Sequence, residues 1–159
     1  MTNPIADIHL AETLFVIGSN TTAAHPVIGI QVKQAVRKGK KLIVANPLEI
    51  ELVKHADLWL RHRPGSDVAL LMGMARAIVE VGLEDKGFIA QRTEDYDAFR
   101  ASLEAFTPEF VSQVTGVAWE DIQQAARLYA TNKPSSILYA MGITQSSHGH
   151  DNVLAVANL

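Results

Sequence analysis

Three short polar stretches hold the residues of this 159-residue chain best suited to chemistry on a ligand. The first, Gly18-Ser19-Asn20-Thr21-Thr22-Ala23-Ala24-His25-Pro26, joins an apolar run to a helical pattern. A turn of this kind presents backbone N–H groups beside small hydroxyl and amide side chains, which suits a phosphate. It has neither the G-x-G-x-x-G of a nicotinamide or flavin fingerprint nor the G-x-x-x-x-G-K-[ST] of a P-loop, and a polar turn that only opens a helix has the same composition. The second, Asn46-Pro47-Leu48-Glu49, falls where a dinucleotide fold reads a ribose hydroxyl, a task open to Asn46 or Glu49. Asn46 could equally cap a short helix running toward His55. The third, Pro64-Gly65-Ser66-Asp67, precedes a strong helical pattern, where a carboxylate stabilises the helix N-terminus by about 0.3–1 kcal/mol with no ligand at all. Asp67 has a sharper alternative. Guanine carries adjacent N1–H and N2–H donors, and a carboxylate can accept both.

Other chemistries lack their residues. The chain has no cysteine, which removes disulfides, thiolate metal sites, cluster ligation and thiol nucleophiles. His9, His25, His55, His62, His148 and His150 fall on different elements, and the close pair His148-Gly149-His150 reads as a polar loop, so no metal site of the chain's own is assigned. Ser19, Ser135, Ser136, Ser146 and Ser147 form no G-x-S-x-G elbow, and no catalytic residue is assigned. A net charge of −3, with no basic run beyond Arg37-Lys38-Gly39-Lys40-Lys41, argues against a nucleic-acid partner. No stretch suits a bilayer, and the opening Met1-Thr2-Asn3-Pro4 lacks the plan of a signal peptide. The compartment is left open, with the cytoplasm preferred.

The elements that must position these turns follow from the hydrophobic pattern. At 48% hydrophobic residues the chain can bury a core of its own, which argues against disorder. Leu14–Ile17, Leu42–Ala45 and Leu58–Leu60 are continuous apolar runs, each ending in turn residues, as expected of strands covered on both faces. Between the first two, Pro26 opens a helix whose face is Ile28, Val32, Ala35 and Val36 and which stops at Gly39. Ser66 or Asp67 caps the next helix, with Val68, Leu71, Ala75, Ile78 and Val79 on one face and Gly82 at its end. The following fifty residues read as helical, anchored by Phe88, Ile89, Tyr96, Phe99, Leu103 and Phe106. Thr107-Pro108-Glu109 opens one helix that closes at Gly116, and Trp119–Asn132 forms another. Ile137–Ala140 reads as a last buried strand, before a polar loop and a terminal helix over 151–159 with no stop signal, as in a piece of a longer polypeptide.

The alternation predicts a doubly wound, Rossmann-like α/β domain: four parallel strands in the order 3-2-1-4, helices on both faces, and a crevice between strands one and four. Every candidate turn then follows the C-terminal end of a strand.

Phe15–Val27, Ala56–Leu60, Pro64–Leu71 and Tyr139–Gln145 together resemble, in order and spacing, the catalytic subunits of molybdenum- or tungsten-dependent formate dehydrogenases, members of the bis-pterin oxidoreductase family. The resemblance covers essentially all of residues 1–159 and implies a single domain, the third of that subunit, one of two that hold paired molybdopterin guanine dinucleotides. It implies that Gly18, Ser19, Asn20, Thr21, Thr22 and His25 meet the phosphates and ribose of one dinucleotide. Asn46, Pro47 and Glu49 would line its nucleotide half, Gly65, Ser66 and Asp67 would hold the guanine, and Met141, Gly142 and Gln145 would approach the pterin near the metal. The iron–sulfur cluster and the thiolate ligand of the metal would belong to other parts of the parent, whose remaining domains and electron-transfer subunits are the implied partners. Alternatives are a sibling such as a nitrate reductase, a non-catalytic nucleotide-binding module, and an ordinary nicotinamide-binding domain, the last opposed by the missing glycine fingerprint.

Overall fold

A computed structural model describes residues 3–159; Met1 and Thr2, part of the opening stretch read for a signal peptide, lie outside the described residues. Four strands, β1 (Thr13–Ile17), β2 (Lys41–Ala45), β3 (Leu58–Leu60) and β4 (Ser135–Tyr139), form one sheet in the order β3-β2-β1-β4. All pairings are parallel, with Leu14 opposite Leu42 and Ser136, and Ile43 opposite Leu58. Parallel strands demand crossovers, and helices supply them: α1 (Thr21–Ala24) and α2 (Pro26–Arg37) after β1, then α3 (Asp67–Glu80), α4 (Lys86–Arg92), α5 (Tyr96–Ser102), α6 (Pro108–Thr115) and α7 (Trp119–Thr131) between β3 and β4. After β4 come α8 (Met141–Thr144) and α9 (Gly149–Asn158).

Period-two alternation divides β1 between two cores. Leu14 and Val16 join Leu42, Val44, Val32 and Ala35 on the α2 face. Phe15 and Ile17 join Ile43, Leu60, Leu70, Met74, Ile122 and Ala125 on the face covered by α3 and α7. Each fully buried side chain of this size contributes roughly 1.5–3 kcal/mol, so the central strand is secured from both sides. Turn chemistry sets the helix ends. Thr107 accepts from the Phe110 N–H at the start of α6, and Gly116, at φ +74°, ends it in the left-handed conformation.

Several expectations are corrected. β4 is not buried: it starts at Ser135, is half-buried along its length, and leaves Tyr139 exposed, because it is an edge strand. The first polar turn contains the short helix α1. Asn46 caps nothing, since the 3-10 turn toward His55 is Glu51–His55 with Ile50 at its N-cap; the Asn46 Oδ1 instead accepts from the Leu48 N–H at 2.9 Å. Neither Ser66 nor Asp67 caps α3 through its side chain: Ser66 occupies the N-cap, but its hydroxyl donates to the Arg63 carbonyl. His148-Gly149-His150 is not a loop but the start of α9. Phe88 is 59% exposed, and α4 buries no residue.

Candidate nucleotide-binding edge

The four candidate turns all leave the C-terminal ends of parallel strands, so the topology places them side by side along one edge of the sheet. After β1, Gly18 turns in the left-handed region at φ +58° and its N–H donates to the Ala45 carbonyl. The hydroxyls of Ser19 and Thr21 are buried and lie 2.9 Å apart. The backbone N–H groups of Ser19, Asn20, Thr21 and Thr22 have no acceptor within the described chain, whereas those of Ala23, Ala24 and His25 bond back to Asn20 and Thr21. Consecutive unsatisfied donors suit an anion. His25 is exposed, between α1 and α2.

After β2, the buried Asn46 has its side-chain carbonyl engaged by Leu48, its backbone N–H donating to Leu60 and its backbone carbonyl accepting from the Trp59 indole at 2.9 Å. Its side-chain NH2 has no partner within the described chain. Pro47 is half-buried and its carbonyl accepts from Arg61, whereas Glu49 is exposed. The carboxylate that reaches back to the first turn is Glu51. The Lys33 ammonium at 2.9 Å holds its carboxyl below the usual carboxylate range, and the Thr22 hydroxyl adds a smaller push the same way.

After β3 the chain is held by its backbone. The Arg63 N–H donates to Thr115 at 2.8 Å, the Arg63 guanidinium meets the Gln113 carbonyl, and the Ser66 N–H and hydroxyl both donate to the Arg63 carbonyl. Gly65 adopts φ +82°, a conformation that costs a side-chain-bearing residue about 1–2 kcal/mol. Asp67 is buried, and its Oδ1 lies 3.0 Å from the Nε2 of buried His62. Asp67 Oδ2 has no partner within the described chain.

After β4, α8 brings Met141 and Gln145 to the surface and sets Gly142 directly on Gly18. The Gly142 N–H donates to the Gly18 carbonyl at 3.0 Å, and a Cβ built on Gly142 would stand 2.5 Å from that same oxygen. Buried Asn152 fixes the far side of this turn by donating to the Ile143 carbonyl and the Ser146 hydroxyl, both at 3.0 Å. A groove of about 840 Å³ begins at Ser19, Thr21 and His25 and runs along the open edge of β4. Another of about 800 Å³, lined by Phe88, Tyr96 and Tyr129, reaches Ser135 at the opposite end of β4 and touches none of these turns.

The structure therefore gathers the turns read from sequence, with Gly18 against Gly142 and Asn46 beside the end of β3. Glu49 is exposed and makes no hydrogen bond or ion pair within the described chain. Sequence reading missed His62, Arg61 and Glu51. For Arg61 the signal was available as a cation directly after the apolar run Leu58–Leu60; in the structure its guanidinium lies 5.5 Å over the Trp59 ring. His62 gave no signal beyond its type, because its partner lies five residues on, across a turn.

A parallel α/β sheet with unsatisfied N–H donors after its first strand and an unsatisfied carboxylate oxygen after its third has the form of the doubly wound folds that take ligands at the carboxyl ends of their strands. The chain belongs to the molybdopterin oxidoreductase family, which it matches over residues 1–159. A formate dehydrogenase alpha subunit of Methanococcus maripaludis is 43% identical over the whole chain, and formate dehydrogenase H of Escherichia coli 40%. The chain spans 24% and 22% of these proteins. A nitrate reductase of Symbiobacterium thermophilum is 38% identical over an alignment of 154 positions that covers 90% of this chain and 20% of that one. Among solved structures, acetylene hydratase from Pelobacter acetylenicus superposes with a TM-score of 0.86 over 95% of this chain and 23% of its own, at 27% identity. Proteins named for different reactions share this domain, so the domain alone does not decide the reaction.

Proposed function

We propose that this chain is the part of a formate dehydrogenase alpha subunit that holds one molybdopterin guanine dinucleotide. The observation that carries the reading is the meeting of four strand-end turns on one edge, with unsatisfied N–H groups at Ser19–Thr22 and an open Asp67 Oδ2. Gly18, Ser19, Asn20, Thr21, Thr22 and His25 hold the phosphates and ribose. Asn46, Pro47 and Glu49 line the nucleotide half, Gly65, Ser66 and Asp67 hold the guanine, and Met141, Gly142 and Gln145 face the pterin end. When bound, the molybdenum or tungsten pterin group supplies the two-electron redox centre for converting formate to carbon dioxide in the whole enzyme. The chain's own contribution is binding and orientation, by donors fixed in place before the ligand arrives. Without a cysteine it gives the metal no thiolate and holds no iron–sulfur cluster, so both come from other parts of the parent, with electron-transfer subunits beyond and the cytoplasm as the compartment. Among the described residues no helix is long and apolar enough to cross a membrane, and no group of three or more His, Cys, Asp or Glu side chains could hold a metal ion.

The 38% identity to a protein named nitrate reductase supports a second reading, in which the parent reduces an oxyanion. One preparation separates the two. The full-length protein carrying this segment is expected to reduce viologen dye with formate, not to oxidise reduced viologen with nitrate, and to release GMP on acid hydrolysis in excess of its metal. Nitrate turnover without formate turnover moves the parent to the sibling class, and absence of GMP removes the guanine dinucleotide.

A further inference from the structure

The turn between β3 and α3 holds a buried pair that the binding scheme does not explain. His62 Nε2 and Asp67 Oδ1 are 3.0 Å apart, and the two side chains are 1% and 8% exposed. An ionised carboxylate only accepts hydrogen bonds, so the imidazole proton of this contact sits on Nε2 and His62 donates. The other ring nitrogen, Nδ1, lies 3.4 Å from the Leu60 carbonyl, at the long end of hydrogen-bond range.

This geometry does two things to Asp67. A buried carboxylate with one oxygen unpaired in an apolar setting is costly, and the contact with His62 removes that cost for Oδ1. It also restrains the carboxylate at Oδ1, because the partner imidazole is itself buried to 1% exposure. A carboxylate offers about four lone-pair sites. His62 occupies one, leaving a free site on Oδ1 and both on Oδ2 for paired donors arriving together.

The surrounding backbone does not depend on the imidazole. Arg63 is tied to Thr115 and Gln113, and Ser66 to Arg63, so the turn from His62 to Asp67 is held at the C-terminal end of α6 by other bonds. Removing the imidazole therefore frees the carboxylate while the loop stays in place.

We infer that His62 is a positioning residue for base recognition: it orients the Asp67 carboxylate so that both oxygens meet the N1–H and N2–H of a guanine. The inference rests on the reading of Asp67 as the guanine contact. Inosine nucleotides lack the N2 amino group, so the ratio of GDP to IDP affinity measures the paired contact, and a purely structural role of His62 would leave that ratio unchanged.

The test is titration calorimetry of the 159-residue chain with GDP, IDP and ADP, for the native sequence, His62→Leu, His62→Gln and Asp67→Ala, each checked by circular dichroism. The native chain is expected to prefer GDP over IDP by at least tenfold. His62→Leu is expected to bring that preference within about threefold while leaving ADP binding unchanged, and His62→Gln, whose amide can donate in place of Nε2, to restore most of it. A folded His62→Leu chain with the native ratio overturns the role of His62, and so does a folded His62→Gln chain that loses the ratio. If Asp67→Ala also keeps the native ratio, the reading of Asp67 fails first, and the two failures are told apart by that variant alone.

Discussion

Substituting Gly142→Ala is expected to lower the melting temperature of the chain by about 6–12 °C, from a loss of about 3 kcal/mol at roughly 2–4 °C per kcal/mol for a domain of this size. The new Cβ would stand 2.5 Å from the Gly18 carbonyl oxygen and 2.8 Å from the Gly18 Cα, and both are backbone atoms that cannot swing aside. Relief requires the turns after β1 and β4 to part, which breaks the 3.0 Å bond from the Gly142 N–H to the Gly18 carbonyl. Gly87→Ala is the control. It lies within α4, where an added Cβ meets nothing nearer than the Asp85 carboxylate at 3.6 Å, so the change is expected to be neutral or to stabilise by about 0.5–1 kcal/mol. Opposite signs for two chemically identical changes would locate the effect in the contact between the turns. Equal effects in a thermal melt followed by circular dichroism would remove that contact from the account.

Asp67→Ala is expected to weaken GDP binding by about 100-fold. Two hydrogen bonds to a charged carboxylate are lost, at roughly 1.5–3 kcal/mol each, and even the lower figure for both gives about 3 kcal/mol, or two factors of ten. ADP binding should change far less, because adenine does not present the paired donors and the N–H groups of Ser19–Thr22, proposed to hold the phosphates, are untouched. The variant also strands the buried His62 Nε2, at a further cost of about 1–3 kcal/mol in stability. Binding is therefore measured well below the melting transition. A loss shared equally by GDP and ADP would show that Asp67 supports the fold and does not read the base.

How far the sequence carried depended on whether a feature was local. The strands β1 and β2 were legible because Leu14–Ile17 and Leu42–Ala45 are apolar at every position, too short for a helix and closed by turn residues, as a strand covered on both faces requires. Their order followed from the rules of parallel crossovers, and the β3-β2-β1-β4 sheet agrees with it. β4 has nearly the same apolar look and was read as buried from that run alone, although the order 3-2-1-4 already puts it at the sheet edge, where the structure leaves it half-exposed. Asn46 misled because Asn serves helix caps and Asx turns equally well, and only the 2.9 Å bond to the Leu48 N–H decides between them. The candidate turns could be named because each follows an apolar run. Their closeness could not, because the Gly18–Gly142 contact joins residues far apart in the chain. The pairing of His62 with Asp67 was hidden for a different reason: it depends on a turn whose shape is set by Thr115 and Gln113, on an element some fifty residues away.

The central claim, that this edge of the sheet binds a guanine dinucleotide, is tested most directly by calorimetric titration of the unmodified chain with GDP, ADP and NAD. Saturable binding of GDP is expected, with clearly weaker binding of ADP and NAD, since the donors proposed for phosphate would serve all three and the Asp67 carboxylate would serve only guanine. Binding of NAD in preference to GDP would contradict it, and would return the domain to the ordinary nicotinamide-binding class that its first turn, lacking a glycine fingerprint, argues against.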